Sequence, residues 1–204
     1  MNNNSIGFFD SGIGGITIWE SVNRLLPNEN TIYLADSKNS PYGKKTNDEL
    51  INISKENVEF LINEKCKLIV VACNTATTNS INFLRKSYDL PFIGIEPAIK
   101  PAALNTKTGK IGVLATKGTL GSSLFEKTSN IHGNKVEIIE QHGIGLVELI
   151  EKGIYSGSKI DSLLKEYLNP MIENDIDKLV LGCTHYPLIK DSIKNIINES
   201  IEII

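Results

Sequence analysis

The sequence predicts an α/β protein of two pseudo-symmetric domains, each a mainly parallel sheet flanked by helices, and three observations carry that expectation. First, Lys67-Leu-Ile-Val-Val-Ala-Cys73-Asn74 returns downstream in altered form as Lys178-Leu-Val-Leu-Gly-Cys183-Thr184. Each run is rich in Val, Ile and Leu, ends in a cysteine and gives way to small polar residues. This is the pattern of a buried parallel strand delivering one thiol to its carboxyl end. Second, Ile6-Gly7-Phe8-Phe9-Asp10-Ser11 has a counterpart in Ile111-Gly112-Val113-Leu114-Ala115-Thr116; Gly7 and Gly112 lie 105 residues apart, Cys73 and Cys183 lie 110 apart. Third, strand and helix patterns alternate with short connections, as in a parallel sheet covered on both faces. Ligands of such sheets bind at the carboxyl ends of strands, so the halves are expected to enclose a shared cleft with one cysteine from each.

Taken in order, residues 6–10 read as a strand, followed by the turn Asp10-Ser-Gly-Ile-Gly-Gly15 and an amphipathic helix that Pro27-Asn28 stops after about Leu26. The glycines let backbone N–H groups approach an anion at that helix start, where a carboxylate would fit. Thr31–Ala35 is the second strand, and Asp36 to Lys45 is a polar loop with a Pro41-Tyr42-Gly43 turn, a composition that serves a bend or a site. Thr46 opens a helix and Glu49 completes its capping box; the helix runs to about Lys65 and turns Ile53, Phe60 and Leu61 toward the sheet. Beyond the Cys73 strand, Asn74 or Thr75 caps a helix lasting to Asp89-Leu-Pro91, and residues 92–95 form a further strand. Glu96-Pro97 interrupts the pattern and divides the chain into residues 1–97 and 98–204. The second half gives a strand at 110–115, a helix from about Thr119, a strand at 135–140 and helices at 146–150 and 158–174. The Cys183 strand follows, with Pro187 in the first turn of the helix beyond it. Ser200–Ile204 reads as a strand with nothing after it, as in a fragment.

With 204 residues the chain suits one large or two small domains, and 41% hydrophobic and 22% charged residues suit an ordinary globular protein. A net charge of −3 provides no basic footprint for direct nucleic-acid binding. No apolar run reaches the roughly 18 residues needed to span a bilayer, and Met1-Asn-Asn-Asn-Ser5 has neither region of a signal peptide. The expected location is the cytoplasm, where Cys66, Cys73 and Cys183 stay reduced.

A lone cysteine at a strand end is ordinarily a small hydrophobe, the reading kept for Cys66, but packing gives no reason for thiols at matching strand ends. A thiol at a helix N-terminus is expected to fall from its usual pKa toward neutrality and accept a proton. One thiolate and one thiol on opposite faces of a carbon then remove and return a proton, with inversion. Other uses of the cysteines fit less well. Neither Cys73 nor Cys183 lies in a Cys-x-x-Cys pair, and His132, His142 and His185 lack ligand spacing, so no metal is expected. A cysteine hydrolase would pair Cys183 with His185, yet residues two apart at a strand end need not point the same way, and Cys73 would be idle. Gly12-Ile-Gly14 with Asp36 imitates a dinucleotide fingerprint, but Thr17 replaces the third glycine and Asp10 would oppose a pyrophosphate. Asp10 as a helix cap, His185 as a buried histidine and Glu151 as a solvated helix-end acid are alternatives to roles at a site.

At these residues the chain resembles the glutamate racemases, cofactor-independent enzymes that supply D-glutamate for bacterial peptidoglycan. The resemblance covers essentially the whole chain. It rests on Phe9-Asp-Ser-Gly-Ile-Gly-Gly15, Pro41-Tyr-Gly43, Ala72-Cys-Asn-Thr-Ala76 and Gly182-Cys-Thr-His-Tyr-Pro-Leu188, in the family's order. It implies that Cys73 and Cys183 are the acid/base thiols, Cys73 serving D-glutamate and Cys183 L-glutamate, assisted by Asp10, His185 and Glu151. It further implies glutamate contacts from Asp10 with Ser11, Tyr42 with Gly43, Asn74 with Thr75, and Thr184 with His185, with Thr116 and Thr119 as further carboxylate contacts. No cofactor, membrane or nucleic acid is implied, and a homodimer is compatible with it. Family members usually continue for several tens of residues in a segment that packs back on the first domain, and that return is expected to be missing. Alternatives are a relative acting on aspartate or another acidic compound, and a non-catalytic binding protein, since some glutamate racemases are associated with inhibition of DNA gyrase.

Overall fold

The computed structural model describes residues 4–132 and 136–204. It divides into two compact units, Met1–Glu96 and Pro97–Ile204. The first unit runs β1 (Ile6–Asp10), α1 (Ile16–Leu25), β2 (Thr31–Ala35), α2 (Asn47–Asn63), β3 (Leu68–Val71), α3 (Asn74–Ser87) and β4 (Phe92–Gly94). Its sheet has the order β2-β1-β3-β4, all parallel. The second unit runs α4 (Ile99–Asn105), β5 (Lys110–Ala115), α5 (Lys117–Leu120), α6 (Ser123–His132), β6 (Glu137–His142), α7 (Leu146–Glu151), α8 (Ser158–Glu173), β7 (Lys178–Gly182), α9 (Lys190–Lys194) and β8 (Glu202–Ile203). Its sheet, β6-β5-β7-β8, is again parallel throughout and repeats the first topology strand for strand. All five residues of β1 and the last five of β5 are buried, as expected of central strands covered on both faces.

The repeated Ile-Gly pair has a packing cause. A Cβ on Gly7 would lie 2.9 Å from Cys66 Sγ and 3.2 Å from Leu61; one on Gly112 would lie 2.7 Å from Ile176 and 2.9 Å from Met171. Leu61 and Met171 belong to α2 and α8, the helices that precede the two thiol-bearing strands, and those helices approach the central strand at its glycine. Both helices also end alike. Lys65 (φ 60°) and Asp175 (φ 63°) adopt the left-handed conformation despite carrying side chains. Cys66 N–H then donates to Leu61 O and Ile176 N–H to Met171 O. Cys66 therefore stands where the second unit has Ile176, and packing accounts for it.

Several elements differ from the sequence-based expectation. The Thr46–Glu49 capping box is present, but Phe60 is 46% exposed; the buried face of α2 is Leu50, Ser54, Asn57, Val58 and Leu61, a helical stripe that Phe60 falls outside. Cys73 itself occupies the N-cap of α3, which makes Asn74 and Thr75 the first helical residues rather than caps. The helix expected from Thr119 is two, α5 and α6, because Ser122 Oγ accepts from Phe125 N–H and starts a new helix. Strand β6 begins at Glu137, whose N–H bonds Gly109 O, not at 135, which lies outside the described residues. The closing strand is only Glu202–Ile203, paired with β7.

Valine at Gly7 or Gly112 would drive two methyl groups into α2 or α8. Each substitution is expected to lower unfolding stability by about 1–3 kcal/mol in urea titrations. An unchanged midpoint would contradict the close helix–strand approach.

Candidate active site

In the first unit the carboxyl ends of β1 and β3 lie side by side, since Ala72 N–H bonds Phe9 O at 3.0 Å. This pairing brings the residues that follow the two strands together. Asp10 is fully buried, and its Oδ2 accepts from Gly12 N–H at 3.0 Å and Ser11 Oγ at 3.4 Å. The N-cap of α1 is Gly15, not Asp10. Cys73, 4% exposed, has its Sγ 4.0 Å from Ser11 Oγ. Gly15 is required by crowding: its Cβ would meet Tyr33 Oη at 2.8 Å and the Cβ atoms of Ala72 and Asp10 at 2.9 Å. Asn74 donates to Ile95 O at 3.1 Å, and Thr75 O accepts from Asn79 at 2.8 Å. Tyr42 is buried, and Gly43 follows it in a 3-10 turn, Tyr42–Lys44.

The Cys73 thiol does not fall toward neutrality. Burial, and after it the Asp10 carboxylate, push it up to about 12, against the main-chain N–H groups of Ala76 and Thr75 and the Ser11 hydroxyl, which favour the thiolate. The helix N-terminus is present as expected, but desolvation outweighs it.

The second unit places Cys183, Thr184 and His185 beyond β7, beside the end of β5, where Ala115 pairs with Gly182. A Cβ on Gly182 would lie 2.7 Å from Ala115 Cβ, so the two strands approach closely just before the thiol. Although residues two apart at a strand end need not point the same way, Cys183 and His185 do converge. The backbone turns helical at His185 (φ −75°, ψ −29°), and its Nδ1 lies 3.7 Å from Cys183 Sγ. The other ring nitrogen, Nε2, pairs with Glu151 Oε1 from the end of α7. Glu151 is therefore not merely solvated, and thiol, imidazole and carboxylate lie in one hydrogen-bonded line. Thr116 caps α5, accepting from Thr119 N–H at 3.2 Å, and the two threonine hydroxyls lie 3.1 Å apart.

Three further groups belong to these clusters. Asp36 and Asn57 hold the Tyr42 hydroxyl, at 2.5 and 2.9 Å. Tyr186 lies fully buried beside Cys183 and donates to Gly143 O at 3.2 Å; burial and then the Cys183 charge keep its phenol well above the usual range. A Cβ on Gly143 would lie 2.1 Å from Tyr186 Oη. Tyr186 stands in the Cys-Thr-His-Tyr-Pro run, whereas nothing local to Asn57 marks it as more than a polar residue on a helix. Among the described residues no three His, Cys, Asp or Glu side chains gather as metal ligands would, and no helix is long and apolar enough to cross a membrane.

The model of the Asp/Glu/Hydantoin racemase family matches residues 14–204. The chain belongs to that family. It is 46% identical to a glutamate racemase of Clostridium perfringens over 205 residues, covering 100% of this chain and 79% of that protein. It is also 46% identical to one from Clostridium novyi, with 98% and 77% covered. The crystal structure of Francisella tularensis glutamate racemase in complex with D-glutamate superimposes with a TM-score of 0.86 at 33% identity, covering 100% of this chain and 76% of that one. Escherichia coli glutamate racemase, in complex with L-glutamate and the activator UDP-MurNAc-Ala, gives 0.88 at 33% identity, with 98% and 77% covered. The resemblance drawn from the four motifs and the two-domain α/β fold class are both borne out.

The raised pKa of Cys73 has a direct readout in the free protein. Iodoacetamide labelling of Cys73, followed by peptide mass spectrometry, is expected to be slow at pH 7 and to climb about tenfold per pH unit to at least pH 10. A plateau reached below pH 8 would show a pre-formed thiolate instead.

Proposed function

We propose that the chain interconverts L- and D-glutamate by moving the Cα proton between two thiols, without a cofactor. The observation that carries this reading is that topologically equivalent strands, β3 and β7, each end in a buried cysteine with proton-handling partners. Solved relatives bound to D-glutamate and to L-glutamate support the substrate.

In the direction from L to D, the Cys183 thiolate takes the Cα proton and the Cys73 thiol gives its proton to the opposite face; the reverse direction exchanges the roles. Each turnover leaves one thiol and one thiolate, exchanged in position, so the proton count balances. His185, backed by Glu151, can take a proton from Cys183 or return one. Cys73 has no imidazole among these partners, and Asp10 disfavours its thiolate, so ionisation there calls for a positive charge. The substrate's α-ammonium group supplies one, which couples thiolate formation to binding. Main-chain N–H groups at the start of α3, with the Ser11, Asn74, Thr75, Thr116, Thr119 and Thr184 side chains, are the donors for the two carboxylates. A cytoplasmic enzyme of this activity would supply D-glutamate for peptidoglycan.

The test is incubation with L-glutamate in D₂O, following D-glutamate by chiral chromatography and Cα deuterium by mass spectrometry. D-Glutamate deuterated at Cα is expected, and Cys73→Ala or Cys183→Ala should reduce its formation at least about 10²-fold while the fold persists. Full activity in either variant would remove the two-thiol assignment. Turnover of aspartate in preference to glutamate would move the chain to another substrate.

A further inference from the structure

Tyr42 is 1% exposed although it lies in a loop whose other residues are half-buried or exposed. Its hydroxyl uses both of its hydrogen-bonding capacities inside the protein. It donates to Asp36 Oδ2 at 2.5 Å and accepts from Asn57 Nδ2 at 2.9 Å. Asp36 is itself tied down twice. Its N–H donates to Asp10 O at 2.9 Å, and its carboxylate oxygens accept from Asn39 Nδ2 at 3.0 Å. Asn57 projects from the buried face of α2. The Tyr42 side chain thus joins the strand end that carries Asp10 to the interior of a helix. Burial, Asp36 and the charge of Cys73 all oppose ionisation of the phenol, so it remains a donor to Asp36.

The second unit offers a comparison. Gly143 also follows the second strand, also donates its N–H to the end of the central strand (Ala115 O, 2.9 Å), and also receives a buried tyrosine hydroxyl, that of Tyr186. There a neutral carbonyl accepts. In the first unit a carboxylate accepts and Asn57 adds a second bond, a stronger and more directional clamp. A substrate carboxylate arriving at the Tyr42–Gly43 turn would find the phenol already committed, and the main chain of the turn is what the clamp leaves to present.

We propose that Asp36 and Asn57 are positioning residues for glutamate, acting through the Tyr42 hydroxyl to hold the Tyr42–Gly43 turn so that its main chain, not the phenol, meets the substrate. This rests on the reading of the chain as acting on glutamate, with the Tyr42–Gly43 turn among the contacts that the family resemblance implies. Neither residue touches the reacting carbon; each acts through Tyr42.

The experiment titrates D-glutamate into the full chain by calorimetry and measures racemisation on the same samples, for wild type, Asn57→Leu, Tyr42→Phe and the double variant. Loss of one clamping bond is expected to weaken glutamate about tenfold, raising Kd and KM together while kcat stays within about threefold. The double variant is expected to bind no more than about twofold worse than the weaker single variant, because Asn57 works only through the hydroxyl that Tyr42→Phe removes. A lowered melting temperature with Kd within about twofold of wild type would mean a merely structural role and overturn the proposal, as would a double variant equal to the product of the singles. Where Asn57→Leu fails to fold, Tyr42→Phe, which deletes one oxygen, decides by the same twofold criterion. A wild-type chain that neither binds nor racemises glutamate overturns the proposed function and this proposal with it; a wild type that does both, beside unaffected variants, overturns this proposal alone.

Discussion

The parallel pairing of each thiol-bearing strand with its central strand is the constraint from which the rest follows. β3 on β1 and β7 on β5 fix where each chain leaves the sheet, and the residues just beyond those ends are the ones with chemistry. The pairing holds only because α2 and α8 can lie close over the central strands, which Gly7 and Gly112 permit. A second set of close approaches guards the carboxyl ends themselves, at Gly15 against Asp10 and Ala72, and at Gly182 against Ala115. In each case the absence of a Cβ is what lets the neighbouring segments approach this closely.

On this repeated scaffold the two cysteines have unlike surroundings. Cys73 meets a hydroxyl, a carboxylate and the amides of a helix start, and the sum leaves it a reluctant acid. Cys183 meets an imidazole whose far nitrogen is held by Glu151. In the proposed reaction each thiol must serve as acid in one direction and base in the other. The two directions would therefore draw on different compensations, the substrate's own charge at Cys73 and the histidine relay at Cys183. Equal rates in both directions do not require equal sites, only that the overall equilibrium between mirror-image amino acids is balanced.

The buried tyrosines show the same economy of parts. In both units the residue after the second strand is fastened to the central strand by its N–H and then fastens a tyrosine hydroxyl. One unit uses the side chain of Asp36 for this, the other the carbonyl of Gly143, where any side chain would collide with Tyr186. Two solutions to one packing problem leave one tyrosine deep beneath Cys183 and the other anchoring a loop near Cys73.

The sequence by itself determined the alternation of strands and helices, the strand ends that carry thiols, the Thr46 capping box and the duplicated pattern, because these are local properties of periodicity and spacing read over a few residues. Tertiary structure alone decided which face of α2 is buried, so Phe60 lies outside and Asn57 inside. It turned His185 back onto Cys183 and brought Glu151 from 34 residues away to its far side. It also set the direction of the Cys73 pKa, where a helix start favours the thiolate but burial and Asp10 oppose it more strongly. The physical reason is common to all three: desolvation and side-chain convergence depend on neighbours remote in sequence, and no local pattern records their balance.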